Sequence, residues 1–469
     1  FRAQLAANVW EKYDDSLAKD KALDFDDLIE KPVRLLSEHE DVRRAVNDRF
    51  HFIHIDEFQD TNELQGRLAN LLAGERKNLF VVGDIDQTIY TWRGATIDNL
   101  LEFDRTYPNA RTIVLAENYR STKTIVDAAN QIIEKNVNRK EKTARTGNDI
   151  GERIRIHYAT NAEQEARFIA KEARRFVMRG TPAEEIAVLY RTNFQSRAIE
   201  EAFLSEGLPY RMLGTQFYDR KEVKDVIAWA RLVLDPSREQ DYMRAVQAPL
   251  RGIGKVTLGK LLSGDREALK PAERAKVAAF DAIVAELHTA AETATPSELV
   301  RLIIEKSGMK ASYEKGADDD QERLENAMEV ASIASRHDGM PGFAGTAAFL
   351  AEAALAGDQD EMDREGKKRG ATLMTVHAAK GLEFDVVFVA GLEEGLMPHE
   401  GHGDEERDEE EERRLFYVAV TRARKLLYLT LARIRRIYGT DYLQEPSSFL
   451  RDIDQGLIEY ADEGDIIEA

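Results

Sequence analysis

The fold can be inferred from the stretch Phe52-Ile53-His54-Ile55-Asp56-Glu57-Phe58-Gln59-Asp60-Thr61-Asn62. Its first residues have the apolar character of a buried strand, two adjacent carboxylates follow, and a polar segment then opens a helix. Two acids therefore lie at the carboxyl edge of a strand, where open α/β sheets bind ligands. In nucleotide hydrolases an acid at this place holds Mg²⁺. The structural alternative is that Asp56 and Asp60 cap the next helix.

A second strand pattern, at residues 79–82, runs into the loop Gly83-Asp84-Ile85-Asp86-Gln87-Thr88-Ile89-Tyr90-Thr91-Trp92-Arg93-Gly94-Ala95. A polar loop after a neighbouring strand allows Gln87 to sense the terminal phosphate of a nucleotide. Tyr90, Trp92 and Arg93 offer two flat rings and a cation, which is the chemistry that grips single-stranded bases. The alternative places Trp92 in the core.

A third strand is predicted at residues 112–115, followed by Asn118-Tyr119-Arg120-Ser121. Arg120, delivered from a strand end, can complete a phosphate clamp because its guanidinium carries fixed, permanently charged donors. Residues 136–149 form a basic and polar link that we interpret as a hinge between two lobes. Its cations are more typical of a solvated loop than of a specific DNA site.

Downstream of the hinge the chain alternates strand and helix patterns, which predicts a mostly parallel sheet covered by helices. The predicted strands lie at residues 154–158, 186–190, 371–376, 386–390 and 426–430. Residues 217–368 are helical throughout and carry no strand pattern, so an all-α domain is inserted into the second α/β domain. The fold class is therefore α/β.

A glycine-rich segment within this insertion, Arg251-Gly252-Ile253-Gly254-Lys255-Val256-Thr257, superficially resembles a phosphate loop. It fails the G-x-x-x-x-G-K-[ST] pattern because Pro249 and Val256 occupy two required positions. Backbone amides at Gly252 and Gly254 can instead bind a duplex phosphate at a helix start. A plain tight turn explains the segment equally well.

Near the carboxyl end a charged helix is predicted over residues 413–424, before the strand at 426–430. Arg422 lies amid apolar neighbours, and a buried arginine is expensive unless it meets an anion. Arg422 is therefore a candidate arginine finger, supplied by the same chain to a nucleotide held between lobes.

Composition restricts the class of protein. The chain has 469 residues, a formal net charge of -20 and no cysteine. Its length accommodates about three domains, and its acidity argues against bulk attraction to nucleic acid, although a local groove remains compatible. The absence of cysteine excludes disulfides and thiolate metal sites. No run approaches the ~20 apolar residues of a membrane span. We expect a soluble, cytoplasmic protein that does not act at a membrane.

Five segments, in chain order, resemble the second to sixth helicase motifs of superfamily 1A DNA helicases of the UvrD, PcrA and Rep type. They are Asp56 to Asn62, Gly83 to Ala95, Asn118 to Ser121, Thr375 to Phe384 and Tyr417 to Ala423. The resemblance covers nearly the whole chain. It implies ATP-driven 3′ to 5′ translocation on single-stranded DNA, with Mg²⁺, in DNA repair or replication. The implied partners are single-stranded DNA, junctions of single- and double-stranded DNA, and DNA-repair proteins.

The resemblance also implies two RecA-like parallel-sheet domains, the first one incomplete, with the helical insertion called 2B in the second. The implied boundaries are 1–20 for the end of a helical 1B insertion, 21–116 for the rest of domain 1A, 117–216 with 369–455 for domain 2A, 217–368 for 2B and 456–469 for an acidic tail.

Site roles follow from the same resemblance, residue by residue. In the nucleotide site, Asp56 resembles the Mg²⁺ ligand, Glu57 the base that activates water, Gln87 and Arg120 the γ-phosphate contacts, Tyr119 the adenine stacker, Glu383 the ribose contact and Arg422 the finger. On the DNA side, Tyr90, Trp92 and Arg93 resemble the strand grip, His377 a coupling residue, Tyr438 a base-stacking aromatic, and Gly252, Gly254 and Lys255 part of a duplex-binding hairpin.

One departure from the family pattern affects activity. The Gly-Lys-Thr phosphate loop is absent from these residues, and so are the adenine-reading Gln motif that precedes it and the DNA-binding motif that follows it. We expect the chain to be the downstream part of a longer helicase and to hydrolyse ATP poorly or not at all by itself. Two alternatives stay open. The first alternative is a non-enzymatic DNA-binding or regulatory homologue. The second is the motor of a helicase-nuclease, against which stands the lack of an Asp, Glu and Lys cluster after Ser448.

Overall fold

The structure, a computed structural model, describes residues 2–262, 268–315, 318–362, 370–400, 408–437 and 439–461. The chain divides into two units. The first consists of residues 1–116 with 135–143, and the second of residues 117–134 with 144–469. The segment 135–143 is therefore an excursion into the first unit, which the sequence-based boundaries did not include.

The first unit contains a short parallel pair of strands, β1 (Ile53–Ile55) and β2 (Leu79–Val81), in which Ile53 pairs with Leu79. Its helices are α1 (Arg2–Asp20), α2 (Asp27–Glu38), α3 (Glu40–Arg49), α4 (Glu63–Ala73), α5 (Asp98–Leu101) and α6 (Phe103–Thr106). Helix α4 begins where the sequence predicts, because Asn62 and Gln65 form a reciprocal capping box. Asn62 is thus the N-cap residue, and neither Asp56 nor Asp60 takes that position.

The predicted third strand is wrong. Residues 112–115 form no strand, and the side chains of Ile113, Val114 and Leu115 are exposed. An apolar run becomes a strand only when another backbone pairs with it. None of the strands in the described ranges pairs with residues 112–115.

The second unit contains a sheet of eight strands within the described residues. They are β3 (Ile154–Asn161), β4 (Ile186–Tyr190), β5 (Tyr210–Met212), β6 (Ala371–Thr375), β7 (Phe384–Val389), β8 (Ala423–Ile437), β9 (Thr440–Leu443) and β10 (Ile458–Tyr460). The order is β10-β3-β8-β7-β4-β6-β5, and β9 pairs with β8. Every pairing is parallel except that of β8 with β9. All five predicted strands of this region are present, and β5, β9 and β10 are additional.

The helices of this unit are α7 (Lys123–Ile133), α8 (Ala162–Met178), α9 (Ser196–Ser205), α10 (Lys221–Leu234), α11 (Glu239–Ala245), α12 (Lys255–Leu262), α13 (Pro271–Ala290), α14 (Pro296–Lys306), α15 (Met309–Tyr313), α16 (Asp318–Ala334), α17 (Phe343–Met362) and α18 (Glu409–Val420). Helices α10 to α17 follow one another without a strand. They enclose a core of their own around Trp229, Phe280 and Phe349.

A second core lies against the sheet and includes Tyr190, Phe203 and Phe388. The five residues of β4 are all buried, as expected for a central parallel strand covered on both faces. The predicted α/β class is confirmed, since the structure has a large, mostly parallel sheet covered by helices and a run of helices between β5 and β6. No helix in the described ranges is long and apolar enough to cross a bilayer.

A buried ionic cluster fixes the end of β7 against β8. Arg435 of β8 donates from Nη2 to Glu165 at 2.6 Å and from Nε to Glu393 at 2.6 Å. Glu165 also accepts from the backbone N of Gly391 at 2.8 Å. The buried guanidinium is thus fully paired with carboxylates, which is the condition for burying such charges.

Candidate functional site

Two acids of the first unit follow directly after β1. Asp56 and Glu57 are both exposed. The Asp56 Oδ1 atom accepts from the backbone N of Glu57 at 2.9 Å. Glu57 has a φ of 50°, in the left-handed region that non-glycine residues seldom adopt. The backbone therefore turns sharply here and presents both carboxylates at the edge of the sheet.

Gln59 connects these acids to the loop after β2. Its side chain is completely buried, and its Nε2 donates to the Glu57 carboxylate. Its Oε1 accepts from the backbone N of Asp84 at 3.0 Å. The sequence pattern gave Gln59 no role, because a glutamine within the polar segment Glu57-Phe58-Gln59-Asp60-Thr61 carries no local signal of burial. The residue orients Glu57 relative to the second strand end.

Gln87 lies on that same second strand end. Its Nε2 donates to Asp84 Oδ2 at 2.9 Å, and Asp84 Oδ1 accepts from the backbone N of Asp86 at 3.0 Å. Burial alone would raise the pKa of Asp84, but the charge and hydrogen bond of Lys142 hold it below its ordinary value. Asp84 is thus an ionised acceptor for Gln87. The structure brings Asp56, Glu57 and Gln87 to one edge of the first unit.

The loop continues to the aromatic pair. The ring centroids of Tyr90 and Trp92 lie 6.5 Å apart at an interplanar angle of 55°. Trp92 is 46% exposed, whereas Ile89 is fully buried. The core alternative for Trp92 is therefore wrong, and Ile89 anchors the loop. Arg93 lies in the same turn, but its side chain is outside the described atoms.

In the second unit, Arg120 and Glu383 contact each other. Arg120 Nε donates to Glu383 Oε2 at 2.5 Å, and Arg120 Nη1 donates to the carbonyl of Thr421 at 3.2 Å. The hydrogen bond from Arg120 lowers the pKa of Glu383, and the charges of Arg120 and Arg424 add to this effect. Tyr119 is 83% exposed. A flat ring is thus available beside a paired cation and anion.

A polar turn fixes this arrangement. Asn118 Oδ1 accepts from the backbone N of Arg120 and of Ser121, each at 2.9 Å. Ser121 Oγ donates to the carbonyl of Ala423 at 2.6 Å. The turn is therefore attached to the start of β8. Because these bonds fix the backbone, the directions of Tyr119 and Arg120 are set by the turn.

Arg422 lies between α18, which ends at Val420, and β8, which begins at Ala423. The predicted helix over residues 413–424 is therefore displaced, because α18 begins and ends four residues earlier. The side chain is 2% exposed. Its Nε donates to the carbonyl of Val418 at 3.0 Å, and its Nη1 to that of Leu382 at 3.1 Å. These bonds hold the guanidinium beside the segment that carries Glu383.

The remaining candidates are spread over the second unit. His377 follows β6 and is half-buried. Gly252 has a φ of +66°, and its carbonyl accepts from Lys276 Nζ at 3.0 Å. Gly254 directly precedes α12, with open space where a Cβ would lie. Lys255 begins that helix, but its side chain is outside the described atoms. Tyr438 lies outside the described residues.

The nucleotide candidates thus form two groups, each within one unit. Asp56, Glu57 and Gln87 share the sheet edge of the first unit. Tyr119, Arg120, Glu383 and Arg422 share the segments around the start of β8 in the second. The predicted roles of these residues stay predictions, while their grouping is a property of the fold.

Comparison with known proteins defines the class. The UvrD/REP helicase N-terminal domain family matches residues 1–108, and the UvrD-like helicase C-terminal domain family matches residues 113–434. The two matches together cover most of the chain and place it, with its α/β fold, in the class of UvrD-like helicase domains. Individual relatives match over 98% of its length, and the chain belongs to the UvrD/PcrA family of helicases.

The relatives include the ATP-dependent DNA helicase PcrA of Staphylococcus aureus strain MRSA252, which is 38% identical over 482 residues, covering 98% of this chain and 65% of the relative. PcrA of Staphylococcus epidermidis strain ATCC 12228 is 38% identical over 480 residues with the same coverage. This chain thus spans 65% of the length of these relatives. A solved structure of the C-terminal domain of a possible DNA helicase from Lactobacillus plantarum WCFS1 matches at 12% identity and a TM-score of 0.30, covering 74% of this chain and 99% of that one. This likeness is too remote to support an argument.

Proposed function

We propose that this chain is the motor of an ATP-dependent DNA helicase that moves 3′ to 5′ along single-stranded DNA, in repair or replication. The observation that carries the proposal is the connection from Glu57 through buried Gln59 to the loop of Gln87 and Trp92. One hydrogen-bonded unit thereby joins a candidate water-activating carboxylate to a candidate strand-binding ring.

Domain boundaries are part of the proposal. Residues 1–20 would belong to a 1B insertion, 21–116 to 1A, 117–216 with 369–455 to 2A, and 217–368 to 2B. The separate core of α10 to α17 supports the last assignment. The excursion of residues 135–143 into the first unit is the exception within 2A.

The first-unit residues fit a magnesium nucleotide. Mg²⁺ prefers one or two carboxylates together with phosphate oxygens and water. No group of three or more His, Cys, Asp or Glu side chains in the described ranges could hold a metal by itself, and the exposed Asp56 offers one hard oxygen ligand. When bound, the ion would neutralise charge on the phosphates. Glu57 would accept the proton of the attacking water, and Gln87 would contact the terminal phosphate.

The second-unit residues fit the rest of a nucleotide. The exposed ring of Tyr119 can stack on adenine, and Glu383 can accept a hydrogen bond from a ribose hydroxyl. Arg120 and Arg422 are permanently charged and can stabilise negative charge on the phosphates. Because Arg120 already contacts Glu383, nucleotide binding would have to exchange part of this ion pair for phosphate contacts.

DNA contacts are proposed for residues of both units. Tyr90, Trp92 and Arg93 would hold a single strand, with His377 coupling that strand to nucleotide state and Tyr438 stacking on a base. The turn of Gly252, Gly254 and Lys255 would contact the phosphates of a duplex at the single-strand junction. Open space at Gly254 and its place before α12 support backbone access to a phosphate.

Activity of the chain alone is expected to be poor. Its 469 residues contain no G-x-x-x-x-G-K-[ST] sequence, so the loop that cradles the β and γ phosphates is missing from them. The second candidate function, a non-enzymatic DNA-binding or regulatory homologue, is favoured by the same observation.

The test is ATP hydrolysis by the 469-residue chain, with and without single-stranded DNA, beside the longest product that its gene encodes. The helicase proposal expects DNA-stimulated hydrolysis in the longest product and little in the 469-residue chain. DNA-stimulated hydrolysis by the 469-residue chain would contradict the expected inactivity. Inactivity of every form, with DNA binding retained, would favour the regulatory alternative.

A further inference from the structure

Residues 135–143, here called the strap, are unusual in their connectivity. They belong to the first unit, yet the residues on both sides belong to the second. The sequence suggested a solvated basic loop. Instead, the side chain of Arg139 is only 10% exposed and contacts a carboxylate, Asp86, that is 1% exposed. A nearly buried ion pair of this kind is a specific structural contact, and Arg139 is therefore not part of a solvated loop surface.

The strap contacts the loop after β2 through two cations. Arg139 binds Asp86 with both arms, Nε to Oδ1 at 3.1 Å and Nη2 to Oδ2 at 2.8 Å. Lys142 pairs with Asp84 and lies 3.2 Å from Asp86 Oδ2. The two cations thus balance two anions. The two parallel hydrogen bonds from Arg139 also fix the orientation of the Asp86 carboxylate, which a single hydrogen bond would not.

Both acids belong to the loop that carries the candidate site. Asp84 accepts from Gln87 Nε2 at 2.9 Å and, through its backbone N, donates to Gln59 at 3.0 Å. Three residues after Gln87, the loop reaches the aromatic pair Tyr90 and Trp92. The strap therefore acts on the same short turn that orients the side chains proposed for phosphate and DNA contact.

We propose that Arg139 is a positioning residue: its fork onto Asp86, supported by Lys142 on Asp84, sets the conformation of residues 84–92 for single-strand binding. This inference rests on the proposed function of Tyr90 and Trp92.

The test compares three variants of the 469-residue chain with the wild type. Arg139→Met removes the fork, Arg139→Lys keeps the charge without the fork, and Lys140→Met is the matched control. Lys140 lies on the same strap, but the side chains of its pair with Asp104 are 38% and 54% exposed. The readouts are backbone hydrogen exchange of residues 84–92, affinity for a fluorescent single-stranded oligonucleotide, and the melting temperature.

We expect Arg139→Met to accelerate exchange of residues 84–92 at least about tenfold, with exchange in α10 unchanged. Oligonucleotide affinity should fall by about tenfold or more, Arg139→Lys should be intermediate, and Lys140→Met should match the wild type. Unchanged exchange at 84–92 in Arg139→Met would overturn the proposal. A merely structural role would instead accelerate exchange throughout the first unit without a local maximum at the loop.

If Arg139→Met does not fold, the double variant Arg139→Met with Asp86→Asn replaces it in the test. The double variant also removes the buried negative charge of Asp86, which the single variant leaves unpaired. Wild-type exchange and affinity in a folded double variant would refute positioning, whereas local acceleration would support it. Failure of the wild type to bind the oligonucleotide would refute the proposed DNA role of the loop. The hydrogen exchange of residues 84–92 would still test the positioning role of Arg139, because it does not depend on oligonucleotide binding.

Discussion

The guanidinium of Arg120 and the carboxylate of Glu383 form an ion pair in the second unit, with 2.5 Å between Nε and Oε2. The two residues are 263 positions apart in the chain. They meet because the turn after Asn118 is bound to the start of β8, while Glu383 directly precedes β7, and β7 and β8 are neighbours. Two residues proposed to contact different parts of a nucleotide therefore hold each other in place.

The first prediction concerns the pH dependence of this pair. The pKa of Glu383 lies below its ordinary value of 4.5, first because Arg120 donates to it. A carboxylate with a lowered pKa in the folded state stabilises the protein above its unfolded pKa, and this stabilisation is lost as pH falls through the folded pKa. We expect wild type to melt slightly above Glu383→Gln near neutral pH, with the difference shrinking as the pH falls below the ordinary pKa of about 4.5 and vanishing once it is below the lowered pKa.

The difference will be small because the Glu383 side chain is 42% exposed and screened by solvent. Thermal melting between about pH 3 and pH 8 measures it. Glu102→Gln, which removes a carboxylate from the exposed pair with Arg105, controls for the loss of one negative charge. A difference that persists undiminished at the lowest pH would contradict the assignment of the shift to Arg120.

Glu57→Gln tests the proposed base. The amide keeps the shape of the side chain but cannot accept the proton of the attacking water, so we expect hydrolysis by the longest gene product to fall about 10²- to 10⁴-fold. Binding of a fluorescent ATP analogue should be retained. Glu63→Gln, an exposed position in the first turn of α4, is the matched control. Unchanged turnover in Glu57→Gln would remove Glu57 from this role.

Trp92→Ala tests strand binding. Loss of a stacked ring should weaken single-stranded DNA binding by about 1 to 3 kcal/mol. Because Trp92 is 46% exposed, its removal should leave the melting temperature nearly unchanged. Trp10→Ala, at a position that is 71% exposed on α1, is the control for loss of an exposed tryptophan. Fluorescence anisotropy with a labelled oligonucleotide measures affinity, and an unaltered affinity would refute the stacking role.

Arg422→Lys and Arg422→Ala test the arginine finger. An arginine finger contributes about 10³-fold or more to hydrolysis, so both variants of the longest gene product should hydrolyse ATP poorly while binding DNA normally. Arg422→Ala should also lower stability by about 1 to 3 kcal/mol, because buried carbonyls of Val418 and Leu382 lose a donor. Equal losses in hydrolysis and DNA affinity would instead indicate a structural arginine.

Local patterns were sufficient for much of the fold. The strands around Ile55, Val188 and Phe388 are apolar runs bounded by polar residues, and such runs were predicted within a few residues. The run at residues 112–115 has the same local character but is not a strand, because pairing depends on a neighbour that a local pattern does not contain. The sequence did not predict the short strands β5, β9 and β10 for a related reason. Each forms a strand because it pairs with a neighbouring strand of the sheet, and not because of its own periodicity.

The sequence by itself determined the chemical types at the candidate site, since the order of acid, amide, aromatic and arginine residues identified the helicase class that the comparisons show. Tertiary structure alone decided which of them contact. Buried Gln59 joins Glu57 to the backbone of Asp84, Arg139 pairs with Asp86, and Arg120 pairs with Glu383. These contacts join residues distant in the chain, so they depend on strand order and on the path of the backbone, which no local pattern encodes.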